Sequence, residues 1–413
     1  MEFQINQQFN HMMLALMHIF FFIFYSYLFI ISFYLLVAAV AGRFPSGGTR
    51  AITGPFKKIA VLITSYKEDE VILNTVQSAL AHDYEPGSFR VFVAADQLKR
   101  ETLQKLSQLD AEVHEVHFEM GSKARSLNNL LNSIDEQEYE IAMVLDGDNI
   151  MLPGCLKQVN AAFVHGLHAV QVHRIAKNLN NSLAILDAIS EEINNHLFRK
   201  AQRNLNLSAA TIGSGMAFRF IRLKAVYNKP GILDNPACDR EVDFEMMRHG
   251  VTVEYLDKAY VLDEKVSSEK VMENQRRRWL ESQIIHIRLF FNPKNHVPNK
   301  NRDYWNKLFI NLIPPRILFL FLVGIILLFA FMGSLLHFNL SGIAHRSWVL
   351  VCLMYILALA LSIPDRYFTL ATLKAFLTLP SVIFTYIKAA LSLNPRRKEF
   401  VHTPKSFTEH RDH

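Results

Sequence analysis

A short apolar run that ends in two carboxylates is the feature that most restricts how this chain can fold. Residues 141–145, Ile-Ala-Met-Val-Leu, are followed directly by Asp146, Gly147, Asp148 and Asn149. A run this short, apolar at every position and bounded by polar residues, is typical of a strand buried on both faces of a parallel sheet. Ligands of open α/β sheets bind beyond the carboxyl ends of the strands, and both carboxylates would lie at such an end.

The Asp-Gly-Asp segment fits two interpretations. Two carboxylates separated by one small residue can approach one divalent cation, and Mg2+ is usually bound by one or two carboxylates together with phosphate and water oxygens. Asp, Gly and Asn also favour turns, so the same residues fit a solvated turn after a strand. The rest of the sequence has to decide between a metal site and a turn.

Strand-like apolar runs alternate with helix-like segments downstream of residue 57. The predicted strands cover residues 58–64, 89–95, 113–118, 141–145, 169–172 and 251–255. The predicted helices begin at residues 65–70, at residues 121–123 and at residue 183. This alternation predicts an α/β domain built on a parallel sheet.

The N-terminal segment predicts a membrane span. Residues 12–41 contain no Asp, Glu, Lys or Arg, and they exceed the roughly 20 apolar residues that cross a bilayer. A signal peptide is the alternative, because residues 39–41 resemble a cleavage site, but no Lys or Arg precedes the run and the run is too long. Basic residues at positions 43, 50, 57 and 58 follow it, which places the next domain in the cytoplasm.

The C-terminal part predicts further membrane contact. Residues 313–338 and 348–363 fit two spans, whereas residues 368–393 are interrupted by Lys374, Pro380 and Lys388 and resemble an interfacial or re-entrant segment. Residues 280–291 have the pattern of an amphipathic helix in the interface plane. We therefore expect a multi-pass integral protein of the plasma or inner membrane, with three spans and a cytoplasmic C-terminus.

Composition narrows the class of protein. The three cysteines, at positions 155, 238 and 352, are too far apart for a metal-binding spacing or a disulfide framework, which fits a reducing compartment. The net charge is +6, and the basic residues cluster beside the apolar segments. We interpret them as contacts to membrane lipids and phosphate groups, and expect no nucleic-acid partner.

The chain divides into five predicted segments. They are an N-terminal transmembrane helix and linker (1–45), a cytoplasmic α/β domain (46–270), a segment with a Gln-Arg-Arg-Arg-Trp motif and interfacial helices (271–312), a C-terminal membrane region (313–393) and a basic cytoplasmic tail (394–413).

Several short motifs occur in a fixed order. They are the strand end at Thr64-Ser-Tyr-Lys-Glu68, then Asp96, Lys123, Asp146-Gly-Asp148, Gly213-Ser-Gly215, Asp243 and finally Gln275-Arg-Arg-Arg-Trp279. In this order, over about residues 55–290, the chain resembles the inverting, membrane-bound family 2 glycosyltransferases, and within them the processive cellulose, chitin and hyaluronan synthases.

That resemblance implies a fold, a donor and an acceptor. The fold is a nucleotide-sugar transferase domain of the GT-A type, with a mixed, mostly parallel sheet flanked by transmembrane helices. The donor is a nucleotide sugar, with UDP as the expected nucleotide, and the cofactor is a divalent metal, Mg2+ or Mn2+. The acceptor is a polysaccharide or a lipid-linked sugar. The sequence carries no signal for the oligomeric state.

The resemblance also implies roles for individual residues. Asp148 would bind the metal, Asp96 would hydrogen-bond the uracil or ribose, Arg278 would bind the diphosphate and Trp279 would face the acceptor sugar. The residues implied in binding the nucleotide sugar are Thr64, Tyr66, Glu68, Asp96, Lys123, Asp146, Gln275, Arg278 and Trp279.

The general base is the most specific expectation. An inverting transfer needs one carboxylate to accept the proton of the attacking hydroxyl. The family carries this Asp before a helix, and the spacing to Gly250 favours Asp243, with Val242 in place of the usual Glu. Asp239 and Glu241 would hold the role in a shifted register, and geometry has to decide among the three.

Three functions fit these motifs. The favoured one is transfer of a sugar to a growing β-linked polysaccharide, because the Gln-x-x-Arg-Trp motif is typical of processive enzymes. The alternative is transfer of a single sugar to a lipid or oligosaccharide. A catalytically silent membrane scaffold is the third, and the complete set of Asp96, Asp148 and Asp243 argues against it.

Overall fold

The computed structural model describes residues 2–46, 54–119, 121–235, 238–293, 295, 297–298, 300–339 and 341–394. Residues 47–53, at the start of the predicted domain 46–270, and residues 395–413 of the predicted basic tail lie outside the described residues.

An eight-stranded mixed sheet forms the centre of the predicted domain at 46–270. The strands are β1 (Ile59–Tyr66), β2 (Phe89–Asp96), β3 (Glu112–Val116), β4 (Ile141–Asp146), β5 (Ile150–Met151), β6 (Ala169–Ala176), β7 (Met216–Arg219) and β8 (Glu254–Asp263). The order across the sheet is β3-β2-β1-β4-β7-β6-β8-β5. The first four are parallel, β7 is antiparallel to both neighbours, and β6 pairs with β8 in parallel.

Helices cover both faces of this sheet. The helices of the domain are α2 (Ile72–Leu80), α3 (Arg100–Leu106), α4 (Lys123–Ser133), α5 (Cys155–Val164), α6 (Ser182–Asn195), α7 (Ala201–Asn204), α8 (Phe220–Tyr227) and α9 (Cys238–Arg248). A π-helical turn, His196–Lys200, joins α6 to α7, and a 3-10 turn, Ile232–Asp234, precedes α9.

Burial explains why the central strands are apolar at every position. Residues 141–145 are fully buried, and alternate residues point into two separate apolar clusters. Leu62 of β1 packs with Leu127 of α4 on one face, while Val61 packs with Val76 of α2 on the other. The predicted strand at 141–145 and the mixed, mostly parallel α/β fold are confirmed.

One predicted strand was displaced. The sequence suggested 251–255, whereas β8 begins at Glu254 and continues to Asp263. The charged residues Asp257 and Lys258 interrupt its apolar pattern, and they fall where the pairing of β6 with β8 shifts its register. A bulge of this kind breaks the two-residue period on which strand prediction depends.

The Gln-Arg-Arg-Arg-Trp motif lies inside a long helix, α10 (Glu269–Phe291). Ser268 caps this helix by accepting a hydrogen bond from the Val271 amide at 3.4 Å. The predicted amphipathic helix at 280–291 is therefore the second half of α10, and the predicted boundary at 271 falls within its first turn. α11 (Arg302–Leu312) follows it.

Three described helices are long and apolar enough to cross a membrane: Gln7–Gly42 of α1 (Glu2–Gly42), α12 (Arg316–Leu335) and α13 (His345–Ser362). They pack through one apolar cluster that includes Leu28, Val323 and Val351. After a 3-10 turn, Asp365–Tyr367, the interrupted segment forms α14 (Leu370–Phe376) and α15 (Leu379–Leu391), bent by 47°. This pair is a fourth crossing only if it forms one span.

Phe218 offers a test of the core. Its side chain is fully buried in the cluster beneath α4 and α8. We expect F218A to lower the free energy of unfolding by about 3–5 kcal/mol, because the surrounding residues cannot fill the cavity. Pulse proteolysis in urea measures this loss. Ile221 on the following helix is 55% exposed, so I221A is the matched control; an equal loss in both variants would contradict the packing described.

Candidate active site

One cavity of about 820 Å³ lies beyond the carboxyl ends of β1 and β4, between the sheet and α10. The predicted site residues that line it are Thr64, Tyr66, Glu68, Lys123, Asp146, Asp148, Asp243, Gln275, Arg278 and Trp279. Asp96 is the predicted residue that does not line it. The cavity continues to residues 313–316, Tyr355 and Leu359 at the apolar helices.

Lys123 ties the end of β4 to a glycine-containing loop. It is the first residue of α4, and its ammonium group donates to the Asp146 carboxylate and to the Gly213 carbonyl, the latter at 2.7 Å. Burial lowers the pKa of the Lys123 amine, but the adjacent Asp146 carboxylate outweighs this effect and raises the pKa overall. The cavity therefore contains a fixed cation beside Asp146.

Asp148 is held on a rigid turn. Its carboxylate is almost fully buried and accepts hydrogen bonds from the Glu264 amide at 3.2 Å and the Asn149 side-chain amide at 3.3 Å. A Cβ at Gly147 would overlap a carboxylate oxygen of Glu68. Glycine between the two aspartates therefore leaves room for the Glu68 side chain, which a larger residue there would displace.

The two aspartates fit a hard divalent cation. Both carboxylates line the cavity, and an all-oxygen donor set suits Mg2+ or Mn2+. Among the described residues, no group of three or more His, Cys, Asp or Glu side chains is placed to hold a metal. Asp148 could therefore hold the ion with phosphate and water oxygens, while Asp146 stays paired with Lys123.

Asp96 lies behind the cavity wall. It ends β2 opposite Tyr66, and one carboxylate oxygen accepts a hydrogen bond from the Phe118 amide at 3.2 Å. The other oxygen, Oδ2, is buried and has no partner in the described part of the chain. Burial raises the pKa of Asp96. An N–H or hydroxyl group of a ligand would satisfy this oxygen.

Two of the three candidate bases are engaged with other side chains. Both carboxylate oxygens of Asp243 accept hydrogen bonds from the Lys307 ammonium group, at 2.9 and 2.8 Å, and both side chains are buried. Lys307 also donates to the Ala209 carbonyl at 3.3 Å. Glu241 accepts a hydrogen bond from Asn235 at 2.6 Å and does not line the cavity.

Asp239 lies one helical turn earlier, in the first turn of α9. A Cβ at Gly213 would lie 3.3 Å from its Oδ2 atom, so this glycine leaves room for the carboxylate at the cavity wall. Across the ranges that the structure describes, that carboxylate makes no hydrogen bond or ion pair. Because Lys123 joins Gly213 to Asp146, Asp239 is close to the Asp146 end of the cavity.

One face of α10 forms a wall of the cavity. Gln275, Arg278 and Trp279 lie on it, with Ser282, Gln283 and His286 further along. Burial lowers the pKa of the Arg278 guanidinium, and Asp239 and Asp146 partly oppose this. The Arg276 guanidinium lies 4.1 Å from the centre of the Trp279 ring and pairs with Asp187. Helical spacing therefore presents cations and an aromatic ring to one cavity.

Several cavity residues were missed by sequence analysis. They are Asp187, Glu191, Asp263, Lys265 and Lys307 together with Arg174 and Arg240. None falls in a recognisable motif, and they come from α6, α9, α11, β6, β8 and the residues just after β8. Pairings such as Asp187 with Arg276 and Asp243 with Lys307 join residues far apart in the chain, which local spacing does not reveal.

Comparison with known proteins identifies the family of this chain. The family described as "Glycosyltransferase like family 2" matches residues 55–282, more than half of the chain. No curated protein matches the sequence.

Two solved structures are among those to which this chain is similar. The mannosyltransferase PcManGT from Pyrobaculum calidifontis, in complex with GDP-Man and Mn2+, has a TM-score of 0.54 at 14% identity, over 84% of this chain and 98% of that chain. The 1–349 fragment of TarS from S. aureus, in complex with UDP-GlcNAc, has a TM-score of 0.40 at 15% identity, over 81% and 91% of the two chains. The PcManGT likeness shows a shared fold.

The Asp243–Lys307 pair can be tested by a double-mutant cycle. K307M leaves the Asp243 carboxylate buried without its cation, and we expect the free energy of unfolding to fall by about 3–5 kcal/mol. The D243L/K307M variant should lose less than K307M alone, because no uncompensated charge remains. Denaturant unfolding measures both.

The half-exposed pair of Lys157 with Asp83 provides the control for this cycle. Removal of Lys157 should cost no more than about 1 kcal/mol. A K307M variant as stable as wild type would show that the buried ion pair is absent.

Proposed function

This chain belongs to the glycosyltransferase like family 2, and we propose that it transfers a sugar with inversion from a nucleotide-sugar donor to a growing β-linked polysaccharide at the membrane. One observation carries the proposal: a single cavity runs from the Asp146 and Asp148 carboxylates, past Asp239 and Trp279, to the apolar helices. The proposed donor site, the proposed base and the apolar helices thus line one continuous cavity.

The polar end of the cavity suits a nucleoside diphosphate. Lys123 and Arg278 supply two cations near Asp146, and guanidinium groups bind diphosphates through paired hydrogen bonds. The buried, unsatisfied oxygen of Asp96 suits a base N–H or a ribose hydroxyl behind Tyr66. We propose a UDP-linked donor. The similar fold of PcManGT, whose structure holds GDP-Man and Mn2+, makes a GDP-linked sugar the second donor to test.

Asp239, and not Asp243, is the general base in this proposal. A base needs an oxygen that can take up a proton, and the oxygens of Asp243 are committed to the buried Lys307 ammonium. The Asp239 side chain lines the cavity and lies next to Gly213. The geometry therefore favours the shifted register that the sequence left open.

The reaction then follows from the positions of these side chains. The acceptor hydroxyl, on a ring held against Trp279, attacks the anomeric carbon as Asp239 takes its proton. The bond to the nucleoside diphosphate breaks on the opposite face, so the configuration inverts. Lys123 and Arg278 stabilise the negative charge that develops on the leaving diphosphate. A divalent cation at Asp148 would supply Lewis-acid stabilisation of the same group.

The membrane side of the proposal rests on charge and on the cavity. The basic residues Arg43, Lys57 and Lys58 follow α1, which favours a cytoplasmic catalytic domain. The cavity reaches Pro314, at the start of α12, where a product could pass between the apolar helices. We propose that the polymer leaves the active site in this direction.

A second candidate function is transfer of one sugar to a lipid. Leu35, Ile313 and Leu359 give the membrane end of the cavity an apolar wall, which would also suit the hydrocarbon part of a lipid acceptor. The size of the product separates the two functions.

A donor panel is the test of the proposed function. The protein in nanodiscs is incubated with UDP-sugars and GDP-sugars in Mg2+ or Mn2+, and released nucleotide and product size are measured together. One donor that yields long polymer supports the polysaccharide function. A single-sugar lipid product supports the second candidate, and no nucleotide release from any donor contradicts both.

The base assignment predicts opposite behaviour for two aspartates. D239N should lower the transfer rate by about 10²–10⁴-fold, because proton removal is lost, while the donor affinity stays close to wild type. Single-turnover kinetics and donor binding by calorimetry measure the two effects.

Asp243 is the matched control on the same helix. D243L combined with K307M removes the buried pair as a unit and should retain measurable transfer in protein that remains folded. Full activity in D239N would contradict the assignment of Asp239 as the general base. If only the folded D243L/K307M variant loses transfer, Asp243 is the base.

The proposed role of Asp148 as a metal ligand predicts a loss of Mn2+ affinity when its carboxylate is removed. D148A should weaken Mn2+ binding by at least about tenfold, because a carboxylate ligand and its charge are lost. Electron paramagnetic resonance of Mn2+ in titrations measures this without turnover. The exposed residue Asp135 provides a charge-matched control, and equal Mn2+ affinity in D148A and D135A would place the metal elsewhere.

A further inference from the structure

His286 is a buried polar side chain that the proposed reaction does not use. It lies on α10 and lines the same cavity as Trp279. Its exposed fraction is 4%, yet neither ring nitrogen has a hydrogen-bond partner among the residues that the structure describes. Buried polar atoms are usually paired, so two orphaned nitrogens at a cavity wall indicate a ligand that supplies the missing partners.

The walls around His286 hold its ring in place. Phe244 packs edge-on against the imidazole with ring centres 6.3 Å apart, and Phe290 lies at 5.4 Å. These aromatic residues belong to an apolar cluster that closes the cavity behind the imidazole. The open side of the ring therefore faces the cavity.

Polar groups from three helices share this end of the cavity. Arg240 donates to the Asn311 side chain at 3.2 Å, and the Asp243–Lys307 pair lies beside them. Burial, with Arg240 and Lys307 nearby, lowers the pKa of His286 far below its usual value. The imidazole is therefore neutral, with one N–H donor and one acceptor nitrogen. A hydroxyl group, which both donates and accepts, matches that pair of atoms.

Helix geometry places His286 beyond the acceptor ring that the proposed reaction holds against Trp279. His286 follows Trp279 by seven residues, which is about 10 Å along a helix. A ring stacked on Trp279 would therefore leave His286 to contact a later part of the same acceptor.

We propose that His286 is part of a second acceptor subsite, which binds a neutral, hydroxyl-bearing sugar ring beyond the ring at Trp279. The proposal rests on the proposed function and deepens it, because it requires an acceptor of at least two sugar rings. His286 contacts the acceptor here and takes no part in bond breaking.

Acceptor length is the variable that tests this subsite. The full-length enzyme in nanodiscs receives the donor identified by the panel, together with its own products separated by length, from a single ring upward. H286F keeps the aromatic packing and removes both nitrogens, whereas H286Q keeps one donor and one acceptor. H249F replaces a half-exposed histidine that does not line the cavity, and serves as the control.

The expected result depends on the number of rings. In H286F, KM for acceptors of two or more rings should rise about tenfold, the effect of a lost buried hydrogen bond. KM for the donor and KM for the single-ring acceptor should stay unchanged. H286Q should recover part of the loss, and H249F should match wild type. If H286F does not fold, the test is whether H286Q raises KM for acceptors of two or more rings and leaves KM for the single-ring acceptor unchanged.

Three outcomes overturn the subsite. They are an unchanged KM at every acceptor length, an equal loss with single-ring acceptors, and a wild-type product that carries one transferred sugar and is not extended. In the first two cases the enzyme still extends its product, so the proposed polysaccharide function survives. In the third case nucleotide is still released, and the second candidate function, transfer of one sugar, replaces the polysaccharide function. An enzyme that releases no nucleotide from any donor loses the proposed function and the subsite together.

Discussion

A chain of buried charges links the sheet to the helices at the active site, and the arrangement of the cavity depends on it. Its contacts run from Asp148 through Asn149 to Asp263, from there to Lys265, and on to Glu191 and Arg174. Although burial alone would raise the pKa of Glu191, Arg174 and Lys265 hold it well below its usual value. The turn after β4 that carries Asp148, the end of β8 and helix α6 are therefore held in one fixed arrangement.

This network also fixes how α10, the helix with the Gln-Arg-Arg-Arg-Trp motif, faces the cavity. Asp187 of α6 pairs with Arg276 of α10, and the Arg276 guanidinium supports the Trp279 ring at 4.1 Å. A buried ion pair adds little net stability compared with apolar packing, but loss of one partner is costly. Such pairs thus restrict the possible arrangements of α6 and α10 more than they stabilise the fold. The cavity keeps its polar wall because each of these charges has a counter-charge.

Much of the fold and most of the site follow from local patterns. The strand at 141–145 is recognisable because both faces of the sheet are covered, which makes every position apolar. Lys123 reaches the cavity because it begins α4, and Arg278 and Trp279 reach it because helical spacing places them with Gln275 on one face of α10. The end of β8 was harder to predict, because Asp257 and Lys258 form an irregularity that only pairing with β6 reveals.

The sequence by itself determined the α/β class, the apolar helices and the order of the motifs, because burial and membrane contact impose residue patterns within a few turns of chain. Its spacing favoured Asp243 as the general base and left Asp239 open, since both lie on one helix and spacing carries no information about the partners of either carboxylate. Tertiary structure decided that Lys307 engages Asp243 and that Gly213 leaves room for Asp239. These contacts join segments many residues apart, and their electrostatics exist only after the chain has folded.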